Sequence, residues 1–476
     1  GELGLWLVGL PDAAVKESEE RVQSALQNSG LRLPETRTTI NLAPGDLKKE
    51  GAIYDLPIAL GVLVATGQVR PDVVAGVTAV GELGLDGSLR SVPGVVPLVA
   101  SLDDRVVVVP RIAEREALVA SRRAIRSVSN LAELVRCIRG EEQWQQPADN
   151  GVELAPHDIA DMADVRGQSA ARHACEIAAA GAHHMLLVGP PGAGKSMLAQ
   201  RLVGILPNLS THDAVTTTIV HSAAHLALPA NGLVSRPPLR TPHHSTSLVA
   251  MVGGGTSSLR PGEISLATNG VLFLDELGEF APSVLDALRQ PLEEGVVRVA
   301  RAKSSVELPA KFLLVAATNP CPCGETSPLG CMCAIAIRQR YVRRFSGPLI
   351  DRFDIRIKLV KPSTAELTGG SAGESSAVIA ERVARVHLLS IERQGCLNSA
   401  IPADLLDDVA PLSRDAMSWL RGKLDEGRLS GRGYHRVRRV ARTLADMNGA
   451  EIVVNTEWVE AAFGMRVAIT PTIERH

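Results

Sequence analysis

The residues best suited to chemistry form a run of eight, 189–196, that fits the pattern G-x-x-x-x-G-K-[ST]. An apolar, strand-like segment (184–188) precedes this run, and a helix-like segment (197–202) follows it. In that setting backbone N–H groups and the helix N-terminus face phosphates, the lysine reaches the β and γ oxygens, and the hydroxyl contacts magnesium. The predicted phosphate loop consists of Gly189, Pro190, Pro191, Gly192, Ala193, Gly194, Lys195 and Ser196. We therefore expect ATP to bind here together with Mg²⁺.

Two acidic residues at the end of a second apolar strand extend this chemistry to hydrolysis. Residues 270–274 read Gly-Val-Leu-Phe-Leu, and Asp275 and Glu276 follow them directly. At such a strand end the first carboxylate holds magnesium through water, and the second polarises the attacking water. A strand that ends in Asp-Glu is common by itself, so its significance comes from the phosphate loop upstream. The sequence therefore predicts that Asp275, with Ser196, is a magnesium ligand and that Glu276 is catalytic.

The pattern of strands and helices predicts the domains that must position these residues. From about 155 to 360, buried strands with polar ends alternate with helices, which is typical of an α/β nucleotide-binding domain with a parallel sheet. The first part of the chain contains short β-like runs at 5–9, 38–42 and 105–109 and helical spacing over 13–29. The predicted boundaries are 1–140 for a first domain, 141–155 for a polar linker, 156–362 for the nucleotide domain and 377–476 for a helical C-terminal part.

Bulk composition indicates a multidomain globular protein and gives no overall evidence for a nucleic-acid partner. The chain has 476 residues, 45% hydrophobic content and a net charge of −2. Its longest uncharged apolar stretch, 56–69, is too short to span a membrane, so we expect a core helix there and no membrane contact. The first residues do not have the pattern of a secretory signal. The sequence starts at Gly1 and not at Met, so it leaves open whether further residues precede it. Seven cysteines, four of them in one loop, favour a reducing cytoplasm.

A resemblance to a known family covers almost the whole chain. The segments that carry it are VGLPD at 8–12, VKES at 15–18, NLAPGDLKK at 41–49, RTPHHS at 240–245, PGEISLA at 261–267 and NPCPCG at 319–324. The chain resembles the YifB/ComM group of bacterial, magnesium-chelatase-like AAA+ ATPases. This resemblance implies an AAA+ core, a C-terminal helical lid and a homo-oligomer, which in this family is a hexamer. Members of the ComM branch drive branch migration in recombination and natural transformation, so single-stranded or branched DNA is the implied partner.

The resemblance also assigns a role to Asn319. The strand-like segment 312–318 ends at this residue, where AAA+ proteins place a sensor between the acidic strand and the γ-phosphate. Considered in isolation, an Asn-Pro turn that ends a strand would explain Asn319 and Pro320 equally well.

Two arginine roles follow from the same resemblance. The segment 347–354 resembles the one that presents an arginine finger to the neighbouring subunit, so Arg352, or Arg344 as the alternative, would stabilise charge on the γ-phosphoryl group. Arg432 matches the second sensor arginine at the start of a lid helix, and Arg436, one turn further on, is its rival. The alternative for Arg352 is a salt bridge with Asp351 or Asp354 of its own chain.

The family's N-terminal domain resembles the Lon-protease domain, an α+β fold. Alignment on that fold places Ile53 where the nucleophilic serine would be and Val96 where the lysine would be. Neither side chain can act as a nucleophile or a base, so the sequence argues against proteolysis. A scaffold or substrate-contacting module is the predicted role of residues 1–140.

Four cysteines lie on one Pro/Gly-rich loop. They form two C-x-C pairs, and their residues are Cys321, Cys323, Cys331 and Cys333. Four thiolates suffice for a tetrahedral Zn²⁺ site, although C-x-C is less usual than C-x-x-C. Free reduced thiols and a disulfide or redox switch are the two alternatives.

Local basic clusters are the candidates for contact with DNA phosphates. They comprise Arg338, Arg340, Arg343 and Arg344 after the cysteine loop, Arg436, Arg438, Arg439 and Arg442 in the lid, and Arg301 and Lys303 in a predicted β-hairpin. Contact between subunits or a solvated helix face would use the same residues. His243 and His244 lack partners at metal-ligand spacing and are interpreted as a loop feature.

Together these observations predict a ring-forming ATPase that acts on DNA. A magnesium-chelatase motor subunit is one alternative, against which stand the Lon-like first domain and the lack of a D-x-S-x-S motif. An ATP-switched regulator or chaperone that binds protein is the other, because Asp275 and Glu276 do not specify what the motor acts on.

Overall fold

The computed structural model describes residues 4–45, 49, 51–102, 106–120, 124–145, 160–255, 259–300, 305–325, 331–345, 347–369, 373–449 and 452–467. The chain divides into two compact units, one of residues 1–155 and 214–234 and the other of residues 156–213 and 235–476. The division after residue 155 falls at the end of the predicted linker, of which 146–155 lies outside the described residues. Residues 214–234 group with the first unit, although the sequence places them within the span of the predicted nucleotide domain.

The first unit contains short strands and helices around an apolar interior. Its described strands are β1 (Leu5–Val8), β2 (Thr38–Asn41), β3 (Val77–Ala79), β4 (Glu82–Leu83), β5 (Leu89–Arg90), β6 (Val106–Pro110) and β7 (Ile125–Val128). Its described helices are α1 (Ala13–Lys16), α2 (Ser18–Asn28), α3 (Asp55–Ala65), α4 (Pro71–Val74), α5 (Val95–Ala100), α6 (Glu114–Ala120) and α7 (Leu131–Arg139). The three predicted strands are confirmed as β1, β2 and β6, and the predicted core helix is confirmed as α3.

The parallel sheet β3-β6-β7 explains the apolar runs of this unit. In its central strand, Val107, Val108 and Val109 are fully buried, because both faces of a central strand are covered. The two positions aligned with a Ser–Lys dyad also have apolar surroundings. Val96 is fully buried, and Ile53 packs against the cluster that contains Val107.

The second unit carries the remaining elements. Its described strands are β8 (Met185–Val188), β9 (Leu239–Arg240), β10 (Gly253–Gly254), β11 (Arg260–Pro261), β12 (Val271–Leu274), β13 (Val296–Ala300), β14 (Ser305–Pro309), β15 (Leu313–Thr318) and β16 (Ile355–Lys358). Its longer helices are α8 (Ser169–Gly181), α9 (Lys195–Leu202), α10 (Thr211–Ala223, which continues into the first unit), α15 (Ile335–Arg344), α18 (Ser376–Gln394), α20 (Arg414–Asp425), α21 (Gly431–Met447) and α22 (Thr456–Gly464). Its short helices are α11 (Leu248–Val252), α12 (Glu263–Leu266), α13 (Pro282–Ala287), α14 (Arg289–Glu294), α16 (Gly347–Ile350), α17 (Thr364–Gly369) and α19 (Leu406–Val409).

A five-stranded parallel sheet in the order β16-β8-β15-β12-β9 organises this unit. Alternate residues of β8 enter two different apolar clusters: Met185 and Leu187 lie in one, and Leu186 and Val188 in the other. The sheet is therefore covered on both faces, as the apolar strands predict. Because parallel strands end at one edge, the segments that follow β8, β12 and β15 meet there. The α/β architecture is confirmed.

The C-terminal part is helical, as predicted, and its helices share an apolar cluster with the sheet. Ile379 and Val383 of α18 and Val437 of α21 belong to the same cluster as Met185 of β8. Helix α18 ends at Gly395, whose φ of +73° lies in the left-handed region that favours glycine.

Burial contradicts the prediction that Arg438 and Arg442 of α21 face DNA, whereas Arg436 and Arg439 are half-buried. Arg438 and Arg442 are only 3% and 1% exposed, and their side chains bind acidic groups and carbonyls of their own chain. Arg436 is 2.5 Å from the buried carboxylate of Asp354, and Arg439 donates to a backbone carbonyl. A buried guanidinium requires such partners, so this face of the helix belongs to the interior.

The predicted hairpin is confirmed by the antiparallel pairing of β13 with β14. Arg298, in β13, pairs with Glu294 and Glu307, while Arg301 and Lys303 lie outside the described residues. Among the described helices, none has both the length and the apolar character needed to cross a bilayer.

Candidate nucleotide-binding site

The phosphate loop connects the end of β8 to the start of α9. Gly192 and Gly194 have φ values of +77° and +85°, a backbone region that side chains disfavour and glycine tolerates. The Gly189 N–H donates to the Thr318 carbonyl at 3.1 Å, which ties the loop to the neighbouring strand β15. The loop thereby presents the positive N-terminal end of α9, a ready site for phosphate.

A cleft of about 320 Å³ lies on this loop, within the size range of small-molecule sites. Its lining combines residues 191–197 with Asp275, Glu276, Thr318 and Asn319. The structure thus brings together the phosphate loop, both acidic residues and the predicted sensor, although 79 residues separate Ser196 from Asp275 and 124 separate Lys195 from Asn319. Gly189 and Pro190 are outside this lining and contribute carbonyls beneath it.

Lys195 is held by three acceptors in the cleft. Its Nζ donates to the carbonyls of Gly189 and Pro190 at 2.7 and 3.0 Å and to Oδ1 of Asn319 at 2.9 Å. Burial lowers the pKa of this amine below its ordinary value, while the charges of Asp275 and Glu276 act in the opposite direction. Phosphate oxygens are charged acceptors and would form stronger hydrogen bonds with the same amine.

Ser196 and Asp275 form the pair expected of magnesium ligands. The Ser196 hydroxyl donates to Oδ2 of Asp275 at 2.5 Å, and the other carboxylate oxygen accepts the Glu276 N–H at 2.9 Å. A hydroxyl and a carboxylate side by side are hard oxygen donors of the type that Mg²⁺ prefers. The contact connects α9 with the end of β12 and fits the role predicted for both residues.

Glu276 has a neighbour that the sequence did not reveal. Nδ1 of His244 lies 3.4 Å from Oε2 of Glu276, and the His244 ring stacks on His243 with 4.0 Å between centroids. The only sequence signal was the RTPHHS segment, whose first residue ends β9. Because β9 pairs with β12, the segment after β9 is carried to the Glu276 end of the sheet.

Asn319 lies between the phosphate loop and helix α15. Its side chain accepts from Lys195, and its carbonyl accepts from the Tyr341 hydroxyl at 3.1 Å. The same hydroxyl is 3.0 Å from Oγ1 of Thr318, the last residue of β15. Tyr341, which the sequence analysis did not single out, therefore supports the end of the sensor strand.

The predicted arginine finger lies outside the cleft of its own chain. Arg352 is 7% exposed, pairs with Glu293 and donates to the Pro348 carbonyl at 2.6 Å. The intrachain salt bridge considered as the alternative therefore exists, with Glu293 in place of the acids expected from the sequence. Burial lowers the pKa of the Arg352 guanidinium, and the nearby charge of Arg432 acts in the same direction.

The other arginine candidates occupy different environments. Arg344 donates to the Gly278 carbonyl at 2.9 Å and to Glu279 at 3.1 Å, and Arg432 is exposed at the start of α21. The described lining of the cleft includes neither of them. Their roles, like that of Arg352, stay predictions.

The four cysteines of the loop converge. The sulfur atoms of Cys321, Cys323, Cys331 and Cys333 all lie within 4.8 Å of one another, and all four are free thiols. Burial raises the pKa of Cys321 to about 12, whereas a hydrogen bond from Cys321 lowers the pKa of Cys331 to about 7. Four thiols at this separation are a donor set compatible with zinc.

Comparison with known families matches all three parts of the chain to magnesium chelatase. The family model described as magnesium chelatase, subunit ChlI, matches residues 161–367. Subunit ChlI of Mg-chelatase matches residues 1–112, and the ChlI C-terminal model matches residues 373–466.

Two bacterial relatives are similar to this chain over nearly its full length. The chain is 41% identical to competence protein ComM of Haemophilus influenzae over 475 residues, which cover 97% of this chain and 92% of the relative. It is 40% identical to the uncharacterized protein YifB of Escherichia coli, covering 96% of this chain and 90% of the relative. A probable DNA helicase, MCM9 of Arabidopsis thaliana, is 26% identical over 42% of this chain and 26% of its own length. The chain therefore belongs to the ComM/YifB family of magnesium-chelatase-like AAA+ ATPases.

Proposed function

We propose that this protein is an ATP-hydrolysing motor that assembles as a hexameric ring and acts on single-stranded or branched DNA. Its activity would be helicase action or branch migration in recombination or natural transformation. The observation that carries the ATPase assignment is the convergence of Lys195, Ser196, Asp275, Glu276 and Asn319 on one cleft. The DNA assignment is supported by the similarity to a competence protein and, more weakly, to a probable DNA helicase.

Each polar residue of the cleft has a separate role in the proposed hydrolysis. Lys195 exchanges its carbonyl acceptors for phosphate oxygens, and Asn319 stays beside it to orient the γ-phosphate. Glu276 orients and polarises the attacking water, a contribution typically worth about 10²–10⁴ in rate. Ser196 and Asp275 would hold Mg²⁺, which would neutralise negative charge on the phosphates.

The charge balance of the cleft supports a ring. Within the described lining, Lys195 is the one residue with a full positive charge. Phosphoryl transfer spreads negative charge over the γ-phosphate oxygens, and NTPases stabilise it with an additional arginine. We infer that this arginine comes from the neighbouring subunit, with Arg352 as the candidate and Arg344 as the alternative. Arg432 would report on the nucleotide from the lid.

We also propose a structural Zn²⁺ at the four converging cysteines, in addition to ATP and Mg²⁺. The four sulfur atoms lie close enough together to bind one metal ion, which supports this assignment. Seven free cysteines further fit a protein that works in the reducing cytoplasm.

The chelatase alternative has one observation in its favour. The family model that matches residues 1–112 is itself described as a chelatase subunit, so the first domain does not separate the two functions. The DNA motor and the chelatase subunit can be distinguished by whether DNA or a porphyrin stimulates ATP hydrolysis.

The decisive experiment measures ATP turnover with no addition, with single-stranded DNA, with a branched junction and with a porphyrin. We expect stimulation by DNA, and a DNA affinity that falls by orders of magnitude between about 50 and 200 mM salt if six or more phosphates are contacted. Lys195→Ala should remove turnover in every arm and so exclude a contaminating ATPase. Stimulation by porphyrin alone, or salt-insensitive DNA binding, would reject the DNA motor.

A further inference from the structure

The cysteine cluster is continuous with the nucleotide site through the chain itself. Cys321 follows Asn319 by two residues, so the first C-x-C pair begins where the sensor strand ends. Cys333 precedes α15 by two residues, and α15 carries Tyr341, whose hydroxyl returns to the Asn319 carbonyl at 3.1 Å. The chain therefore leaves Asn319, forms the two cysteine pairs and contacts Asn319 again through Tyr341.

A second contact connects the cluster to the phosphate loop. Gly324, directly after Cys323, has a φ of +78°, and a Cβ at this position would lie 2.6 Å from Cδ of Pro191. Such a distance is impossible for a real side chain, so glycine is required for the segment to lie against the loop. Pro191 itself lines the cleft.

The surroundings of the cluster favour a negatively charged metal centre. Four thiolates and one Zn²⁺ carry a net charge of about −2. The N-terminal end of α15, a helix of 10 residues, begins two residues after Cys333 and adds positive potential.

We propose that the four cysteines bind one Zn²⁺ and that this centre holds Asn319 and the phosphate loop in the geometry for hydrolysis. The cysteines are then positioning residues of the ATPase site. The inference rests on the proposed role of Asn319. Loss of the metal would leave only weak thiol contacts, such as that of Cys321 with Cys331 at 3.2 Å, between the two cysteine pairs, and would loosen the segment on which Asn319 and Gly324 lie.

The test uses the full chain, purified under reducing conditions without chelators. Metal analysis should find about one zinc per chain, and Cys323→Ser should lose it. Cys323 is exposed, so this near-isosteric change leaves the apolar core intact. We expect kcat to fall about 10- to 100-fold, as for a misplaced catalytic group, with a smaller change in the affinity for ATP.

Two matched variants separate metal binding from the loss of any cysteine. Cys323→His retains a zinc ligand and should retain zinc and most of kcat. Cys396→Ser changes a half-buried thiol outside the cluster and should alter neither. Absence of zinc in the wild type, or full kcat in a zinc-free Cys323→Ser protein, would overturn the proposal.

A readout without turnover distinguishes this proposal from the proposed function. Chelation should increase hydrogen exchange in peptides that cover 189–196 and 313–325, whether or not the protein hydrolyses ATP. Zinc and protected peptides in a protein without ATPase activity would refute the proposed function alone. Unchanged exchange after complete removal of zinc would refute the link between the two sites.

Discussion

Two regions of the second unit carry charged residues that the sequence predicted to be functional. In one region these residues line a cleft, and in the other they are buried. At the carboxyl edge of the sheet, Lys195, Asp275 and Glu276 line a cleft and keep polar neighbours. In α21, Arg438 and Arg442 are buried and satisfied by groups of their own chain. Charged residues therefore line a cleft in one region and form a buried network in the other.

The difference shows that the position of a charged residue in the fold predicts its role better than its charge does. Residues that follow parallel strands must meet at one edge, so their proximity follows from the order of the strands. Residues of one helix face whichever neighbour packs there, and that choice depends on elements distant in sequence. Asp354, which lies outside α21, pairs with Arg436, and the carbonyls of Leu406 and Ala410 accept from Arg438.

The largest expected effect concerns Arg352, which is buried like the arginines of α21 but is assigned to catalysis. Arg352→Ala should bind ATP and lose about 10³- to 10⁵-fold in hydrolysis if it acts on the neighbour's phosphate. Mixing it with Lys195→Ala should restore part of the activity, because the two defects then lie on different faces of a shared site. Single-turnover hydrolysis in verified mixed rings measures this.

Glu293→Gln is the control for that experiment. It removes the ion pair of Arg352 but leaves the guanidinium, so hydrolysis should persist. If both variants lose activity equally, Arg352 acts through its own chain and belongs with the structural arginines.

At the sheet edge, Glu276→Gln should retain ATP binding and lose about 10²–10⁴ in kcat, because phosphate contacts survive while polarisation of water does not. Steady-state turnover and binding of a nucleotide analogue separate the two effects. Glu460→Gln, an exposed glutamate of α22, should leave both unchanged. Near-normal turnover of Glu276→Gln would remove this residue from its role.

In α21 the expected loss is in stability and not in DNA binding. Arg442→Ala should lower the unfolding free energy of the second unit by about 3 kcal/mol, since it leaves buried acceptors without their donor. Denaturant titration checks this value, and Arg421→Ala, an exposed arginine of α20, should change it little. A stable Arg442→Ala protein with weaker DNA affinity would restore the prediction that this helix contacts DNA.

The smallest effect tests a half-buried titratable residue, His184, at the opposite edge of the sheet. Burial lowers the pKa of His184 from 6.5 to about 4, and its unprotonated Nδ1 accepts the Leu314 N–H at 3.1 Å. The unfolded chain therefore binds the extra proton first, and stability falls as the pH decreases from about 6.5 toward 4. Between pH 7 and 5 we expect a loss of about 1–2 kcal/mol.

His184→Asn is the matched variant for this pH dependence. Its amide oxygen can accept the same hydrogen bond but does not titrate. The decrease in stability between pH 7 and 5 should therefore become shallower in this protein, as measured by urea unfolding at each pH. Identical pH profiles would exclude His184 as the source.

Much of the fold and most of the candidate site could be predicted from local sequence. Strands β8, β12 and β15 are almost entirely apolar and are buried at every position because both faces of the sheet are covered, and the polar segments after them marked Lys195, Asp275 and Asn319. His244 and Tyr341 could not be predicted, since neither belongs to a pattern with a fixed spacing. Their contacts with Glu276 and Asn319 arise from the pairing of β9 with β12 and the packing of α15.

The sequence by itself determined the chemical inventory: a phosphate loop, two acidic residues after a strand, a sensor asparagine and four cysteines in one loop. Tertiary structure alone decided which charges face the cleft and which are buried, because burial depends on contacts between segments far apart in the chain. It also decided that the cysteines converge beside the phosphate loop, where Gly324 lies against Pro191. Spacing along a chain constrains neighbours within one turn or strand, whereas the approach of distant segments is set by the packing of the whole unit.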